Sequence, residues 1–190
     1  LPIRIRVDEL HIALLQISDL QITEISGAAR WTEQRLVIKA LNLAYSGLSA
    51  SLKGRMAAGP NPVLSAEIHW SFPEVGLQGS GSLAGSAGRL KIDHQLAGDY
   101  RARATGLLDI AEVTDPGFDL QVAVEPLAIG DLALGELQGT VQGSLRQVVV
   151  AAKTVLDTGI LAPFPVTAML EGPPGGPVSL ALSAEPLTGR

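Results

Sequence analysis

The sequence predicts an all-β protein, built as an elongated, curled antiparallel sheet whose interior is lined with aliphatic side chains. Three observations lead to this prediction. Apolar and polar residues alternate in short runs along nearly the whole chain, turn-forming residues separate most of the runs, and no clear helical segment is available to cover the apolar side.

The alternation is clearest between residues 63 and 72. Leu64, Ala66 and Ile68 point to one face of a strand while Ser65 and Glu67 point to the other, because successive side chains on a strand alternate. The apolar side of such a sheet must be buried against something, so the main functional question is what covers it. The same pattern recurs at Leu48/Ala50/Leu52, Leu90/Ile92/His94/Leu96, Phe118/Leu120/Val122/Val124, Val148/Val150/Ala152 and Val178/Leu180/Leu182.

The predicted strands follow one another closely, with turn signals such as Gly59-Pro60-Asn61-Pro62 and Thr114-Asp115-Pro116-Gly117 between them. Connections this short favour an antiparallel meander, since parallel strands need long crossovers. The predicted strands cover residues 3–8, 10–16, 18–25, 27–31, 35–44, 47–56, 63–72, 75–84, 88–97, 99–110, 117–125, 129–134, 136–145, 147–156, 164–171 and 177–184.

One of these strands is ambiguous. In the segment from Trp31 to Ala44, the apolar residues also fit a helical stripe, namely Leu36, Val37, Ala40, Leu41 and Ala44. We favour a strand because the residues that follow continue the alternating pattern.

Repetition and glycine content indicate how the sheet is built. Leu77-Gln78-Gly79 recurs as Leu137-Gln138-Gly139, which suggests an elongated architecture that grows strand by strand. Glycine inside a strand marks a bend, a bulge or a close approach, and at this density it would let the sheet curl about its own apolar face, although ordinary bulges are an equal alternative. The glycines concerned are Gly54, Gly79, Gly81, Gly106, Gly139 and Gly143.

Composition narrows the class of protein. The chain has 190 residues, a net charge of −5 and no cysteine. The negative charge argues against a nucleic-acid partner, for which a clustered basic face is expected, and without cysteine there are no disulfides and no thiolate metal sites. Apolar residues make up 46% of the chain and aromatic residues only 4%, so the apolar face is expected to be smooth and aliphatic.

The ends of the chain suggest a segment of something larger. No run reaches the roughly 18 apolar residues of a membrane-spanning helix, and the first residues already show a strand pattern rather than a signal peptide. We therefore expect residues 1–190 to be a piece of a longer protein.

No catalytic centre emerges from the titratable residues. His11 and His69 are expected on polar faces, and His94 lies in the apolar register. No histidine spacing suits a zinc hydrolase, and Gly79 to Ala84 matches a dinucleotide-binding fingerprint only formally, because a strand rather than a helix follows it. The sequence therefore predicts no catalytic, metal or cofactor-binding residues, and we expect a protein that is not an enzyme.

The succession of strand, short turn and glycine-containing strand resembles the AsmA-like superfamily of Gram-negative envelope proteins, and within it most closely the TamB-like proteins, subunits of a translocation and assembly module. The resemblance covers almost the whole chain through degenerate motifs. They are Pro2 to Leu10, Ser26-Gly27-Ala28-Ala29-Arg30-Trp31, Leu36 to Leu41, Leu52-Lys53-Gly54-Arg55, Gly79-Ser80-Gly81-Ser82-Leu83-Ala84-Gly85 and Gly106 to Leu120.

The resemblance implies a fold and a function. Proteins of this family are anchored in the inner membrane and extend through the periplasm as a curled, β-taco-like groove. The resemblance implies that residues 1–190 are a single segment of a longer repetitive β-groove, with the membrane anchor and the C-terminal domain outside this chain. Their expected role is phospholipid transport between the inner and outer membranes, with a possible part in outer-membrane protein assembly. The implied partners are phospholipid acyl chains and an outer-membrane barrel of the TamA type, the latter contacted through parts outside this chain.

The residues expected to line the lipid groove share the apolar register of successive strands. They are Leu52, Ile68, Trp70, Leu90, Ile92, Leu108, Leu120, Val122, Val141 and Val150.

Other classes stay open on the sequence alone. The main alternative is a structural or adhesive β-solenoid whose apolar face is a sealed core, although a solenoid would show a stricter repeat. An outer-membrane barrel would carry aromatic girdles, which the scattered aromatic residues do not supply.

Overall fold

A computed structural model describes residues 4–17, 20–57, 59, 62–86, 88–111, 114–130, 132–144, 146–160, 162–173 and 176–184. The described chain is almost entirely β-strand, and its only helical element is a 3-10 turn at Pro73–Val75. The prediction of an all-β antiparallel fold is confirmed. Some predicted features lie outside the described residues, namely parts of the strands at residues 3, 18–19, 131 and 145 and of the turn at 60–61.

The chain divides into two compact units, residues 1–99 and residues 100–190. The alternating pattern gave no sign of this boundary, which falls between two similar strands. The expectation that both units belong to one longer groove stays a prediction.

Unit 1 is an antiparallel meander. Each long strand pairs with the next in the order β1, β4, β5, β6, β7, β8, β9, and the short strands β2 and β3 form a separate hairpin between β1 and β4. Its strands are β1 (Ile5–Ile12), β2 (Leu15–Ile17), β3 (Leu20–Ile22), β4 (Glu24–Thr32), β5 (Arg35–Tyr45), β6 (Leu48–Ala57), β7 (Val63–Phe72), β8 (Leu77–Ser86) and β9 (Arg89–Gly98).

Unit 2 departs from a simple meander at one point. Pairing follows the order β10, β11, β14, β15, β16 and β17. The hairpin β12–β13 pairs instead with the C-terminal end of β15, through Ala133 and Leu134. Its strands are β10 (Ala102–Asp109), β11 (Gly117–Val124), β12 (Leu127–Ile129), β13 (Leu132–Leu134), β14 (Leu137–Ser144), β15 (Val148–Asp157), β16 (Phe164–Gly172) and β17 (Ser179–Ala184).

The ambiguous segment of the sequence is a strand. β4 ends at Thr32, a two-residue turn follows, and β5 begins at Arg35. Tight pairing of β5 with both β4 and β6 explains why strand wins over the weak helical stripe, because each side of β5 gains a ladder of backbone hydrogen bonds. Within the described residues, no helix is long and apolar enough to cross a membrane.

Candidate functional site: the apolar faces of the two units

In unit 1 the strand register brings the apolar side chains of successive strands into line. One row runs from Leu41 through Leu52, Ile68 and Gly81 to His94, each residue being the direct partner of the next. This alignment fixes the register, because a slip of one residue would move every apolar side chain of a strand to the polar face. Three parallel rows are Leu43/Ala50/Trp70/Gly79/Leu96, Ile38/Gly54/Ala66/Leu83/Ile92 and Leu36/Met56/Leu64/Gly85/Leu90.

Unit 2 has an apolar face of the same kind. Its central row joins Leu120, Val141, Val150, Leu170 and Leu180 across five strands. No charged residue occupies the apolar register of β10, β11 or β14–β17. Flanking rows are Leu108/Phe118/Gly143/Val148/Gly172 and Ala104/Val122/Gly139/Ala152/Ala168/Leu182.

These faces are only partly covered. Among the described hydrophobic residues, Ala66 and Leu90 alone are buried, and both lie in unit 1. At the edge strand β17 the same face is open, with Leu182 67% exposed. The apolar rows are therefore not a fully buried core, and most of their side chains keep part of their surface accessible to solvent.

All ten residues predicted to line the groove lie in the apolar register. Five are in unit 1 and five in unit 2, and Leu52 pairs directly with Ile68 just as Leu120 pairs with Val141. Nine of them are half-buried, whereas Leu90 is 1% exposed. Leu90 is therefore covered by its own neighbours and supports the face rather than offering contact surface.

Glycines let neighbouring strands approach closely on these faces. A Cβ at Gly106 would overlap the carbonyl oxygen of Asp119 on the paired strand, and one at Gly81 would stand 2.6 Å from the carbonyl oxygen of Asp93. Side chains cannot be accommodated there without moving backbone, so the paired strands approach each other closely at these positions. Of the alternatives that the sequence left open for strand glycines, close approach is the one observed at both sites.

One polar contact interrupts the apolar face of unit 1. The indole Nε1 of Trp70 donates a hydrogen bond of 3.0 Å to Nε2 of His94, and the two rings are nearly parallel, with an interplanar angle of 6°. The pair reaches across β8, where a Cβ at Gly79 would stand 2.7 Å from Nε2 of His94. Glycine at this position is what allows the two side chains to meet.

The environment of His94 favours a neutral imidazole. Burial lowers its pKa from the ordinary value, while the nearby carboxylate of Asp93 acts in the opposite direction. Because Nε2 accepts the hydrogen bond from Trp70, the proton of the neutral imidazole resides on Nδ1. His94 is the only charged or ionisable residue in the apolar register of β6–β9, and a lone imidazole of this kind serves to hold Trp70 in place.

The other two histidines lie where alternation predicted them. His69 pairs with Ser51 and Ser80 on the polar face, and His11 pairs with Ser26. The described residues include no group of three or more histidines and carboxylates that could hold a metal ion.

A depression of about 700 Å³ lies on the polar face of unit 2 rather than on its apolar face. Its lining includes Arg103, Gln121, Gln138, Lys153 and Thr167. It is open and contains no nucleophile paired with a base, so it offers hydrogen-bonding groups without catalytic geometry. Sequence reasoning missed it because only the register brings these polar residues from five strands together.

Comparison with known proteins adds nothing to this description: no family model, curated protein or solved structure matches the chain.

Proposed function

We propose that this chain is a periplasmic segment of an inner-membrane-anchored envelope protein, resembling the TamB-like proteins, and that its apolar faces carry phospholipid between the two membranes. The observation that supports the proposal most directly is an aligned aliphatic face whose side chains remain partly exposed. Such a face offers dispersion contact at every position and no specific polar partner, which suits acyl chains.

The composition of the face supports movement rather than tight binding. In the central row of unit 2, Leu120, Val141 and Val150 present similar aliphatic surface from strand to strand. A chain that moves by one strand spacing meets the same kind of contact again, so no position holds it much more strongly than the next. A contact with a TamA-type outer-membrane barrel belongs to the same proposal and would lie outside this chain.

The proposed role is not enzymatic. His94 is engaged with Trp70, and no other ionisable group shares the apolar register of β6–β9. A conduit requires neither catalytic residues nor a cofactor, in keeping with the predicted absence of both.

The first test places a photoreactive residue on either face. Crosslinking to phospholipid is expected from position 68 or 120, because Ile68 and Leu120 lie in the apolar register. Positions 67 and 121 are the matched controls, since Glu67 and Gln121 are exposed on the opposite face. Equal labelling from both faces, or labelling from neither, would contradict the proposal for this segment.

Charged variants separate an open groove from a sealed core. Ile68→Arg and Leu120→Asp should block lipid passage while the protein stays folded, because an uncovered face lets the charge reach water. The control variants Glu67→Arg and Gln121→Asp should be tolerated. If the face is the sealed core of a structural solenoid, the inner variants should instead lose about 3–5 kcal/mol of stability, as buried unpaired charges do, which thermal melting would reveal.

A further inference from the structure

The register of unit 1 gathers basic side chains at one end of its strands. Arg30 on β4 pairs with Val37 on β5, and Val37 pairs with Arg55 on β6. Arg35 begins β5 in the adjacent position, opposite Ala57. Arg30, Arg35 and Arg55 are called the basic rim below. The same row extends to Arg6 on β1 and to Lys91 on β9.

The basic rim is available to a ligand. Arg30, Arg35 and Arg55 are all exposed, and none of them forms an ion pair within the described residues. The Cα atoms of Arg30 and Arg55 are two strand spacings apart, about 10 Å. Two guanidinium groups at that separation can converge on one phosphate, which Arg recognises through bidentate hydrogen bonds.

The last row of the apolar face lies directly beside this rim. Trp31, Leu36 and Met56 are paired in one row, and each is the sequence neighbour of one rim arginine. Apolar and basic side chains therefore alternate at the ends of three adjacent strands, pointing to opposite faces. Arginine side chains are long enough to turn around a strand end and keep their charge in water.

The opposite end of unit 1 has the reverse charge. Glu24 begins β4, Glu74 lies in the 3-10 turn between β7 and β8, and Asp99 follows β9. A lipid with a negatively charged headgroup is thus attracted to one end of the apolar face and repelled from the other.

We propose that the basic rim binds the phosphate headgroup of anionic phospholipids, with their acyl chains on the adjoining apolar row of Trp31, Leu36 and Met56. This deepens the proposed function and rests on it. Unit 1 then selects anionic over zwitterionic lipid and fixes which way each lipid lies, with its headgroup at the basic end.

The test compares crosslinking from a photoreactive residue at position 68, using vesicles of phosphatidylglycerol or of phosphatidylcholine. The native chain should label phosphatidylglycerol preferentially, and the preference should weaken as salt is added. Arg35→Gln/Arg55→Gln should reduce labelling by phosphatidylglycerol about tenfold or more, with labelling by phosphatidylcholine unchanged. Arg35→Lys/Arg55→Lys should retain most of the preference because it retains the charge.

The matched control is Lys53→Gln/Lys153→Gln, which removes the same charge from mid-strand positions on the polar faces. It should keep the preference for phosphatidylglycerol. Loss of preference in this control would show that net charge rather than the rim governs selection. Persistence of the preference in Arg35→Gln/Arg55→Gln would show that the rim does not govern it, and either result would overturn the inference.

Two further outcomes separate the inference from the proposal beneath it. Equal labelling of both lipids by the native chain would overturn headgroup selection while leaving lipid transport intact, whereas labelling of neither would overturn both. Water-soluble glycerol phosphate serves as a competitor. If it displaces the lipid as effectively as added phosphatidylglycerol does, the rim is a site for free phosphate and the lipid assignment is wrong.

Discussion

At the scale of single residues, Trp70 and His94 form the one specific polar contact on the otherwise apolar face of β6–β9. The hydrogen bond requires an unprotonated Nε2 on His94, and burial lowers the pKa of that imidazole. Protonation would remove the acceptor and place a charge among aliphatic side chains, so the contact links the stability of unit 1 to pH.

The sign of this pH dependence follows from the lowered pKa. The stabilisation is fully present above the ordinary histidine pKa of 6.5 and is lost as pH falls below it towards the lower pKa of the folded state. Urea unfolding at about pH 7.5 and about pH 5 should show a steeper loss of stability in the native protein than in His94→Gln. His69→Gln, on the polar face, should keep the native slope. Equal slopes in all three proteins would mean that His94 does not contribute to the pH dependence of stability.

Alternation located His94 correctly but could not reveal its partner. The period of two assigns a face to each residue, so the apolar register of His94 was readable from Ile92 and Leu96. Its contact with Trp70 depends on the register of three strands and on the missing side chain at Gly79, neither of which the local sequence encodes.

At the scale of elements, glycine determines how closely adjacent strands can run. Gly106 lies inside a predicted strand, whereas Gly117 ends a predicted turn and begins the next strand. The structure distinguishes them, because a Cβ at Gly106 would overlap the backbone of β11, whereas at Gly117 the nearest atom would be 3.7 Å away.

We expect Gly106→Ala to destabilise the protein by about 1–3 kcal/mol, the usual cost of forcing extra volume into a close-packed position. Gly117→Ala is the matched control and should be close to neutral, because its new methyl group would make only ordinary van der Waals contact. Chemical denaturation measures both variants. A neutral Gly106→Ala would show that β10 and β11 can separate without cost.

Long strands were easier to predict from the sequence than the short hairpins between them. The runs that became β6 to β9 carry clear alternation and were predicted to within a few residues. The sequence predicted a single strand over residues 129–134, where the structure has the hairpin β12–β13. Strands of three residues show too few alternations to reveal their pairing. The attachment of this hairpin to β15 depends on long-range contacts, including the backbone hydrogen bond from Gly135 to Val155.

At the scale of the whole molecule, net charge was a poor guide to local charge. The overall charge of −5 suggested a surface without a basic cluster, yet the register of unit 1 brings Arg30, Arg35 and Arg55 together. Composition sums charges along the chain, whereas a ligand meets only those that pairing places side by side. The apolar faces, in contrast, were predictable, because alternation along each strand is enough to place the apolar side chains on one face.

A lipid groove and a sealed structural core differ in whether the native state binds free lipid. An uncovered apolar face should bind a lysophospholipid below its micellar concentration, and binding to the native state alone raises stability by mass action. We expect lysophosphatidylcholine, whose headgroup carries no net charge, to raise the melting temperature by roughly 5–10 °C when it is about a hundredfold above its dissociation constant.

The matched variants Glu67→Arg and Ile68→Arg make this experiment specific. Glu67 is on the polar face, so Glu67→Arg should retain the rise in melting temperature. Ile68→Arg places a charge in the row that the acyl chain would contact, so this variant should lose most of the rise. A sealed structural core predicts no rise for the native protein, because its apolar side chains are already covered. Only an apolar face that water still reaches gives the lipid surface to bury, and that burial is the source of the expected stabilisation.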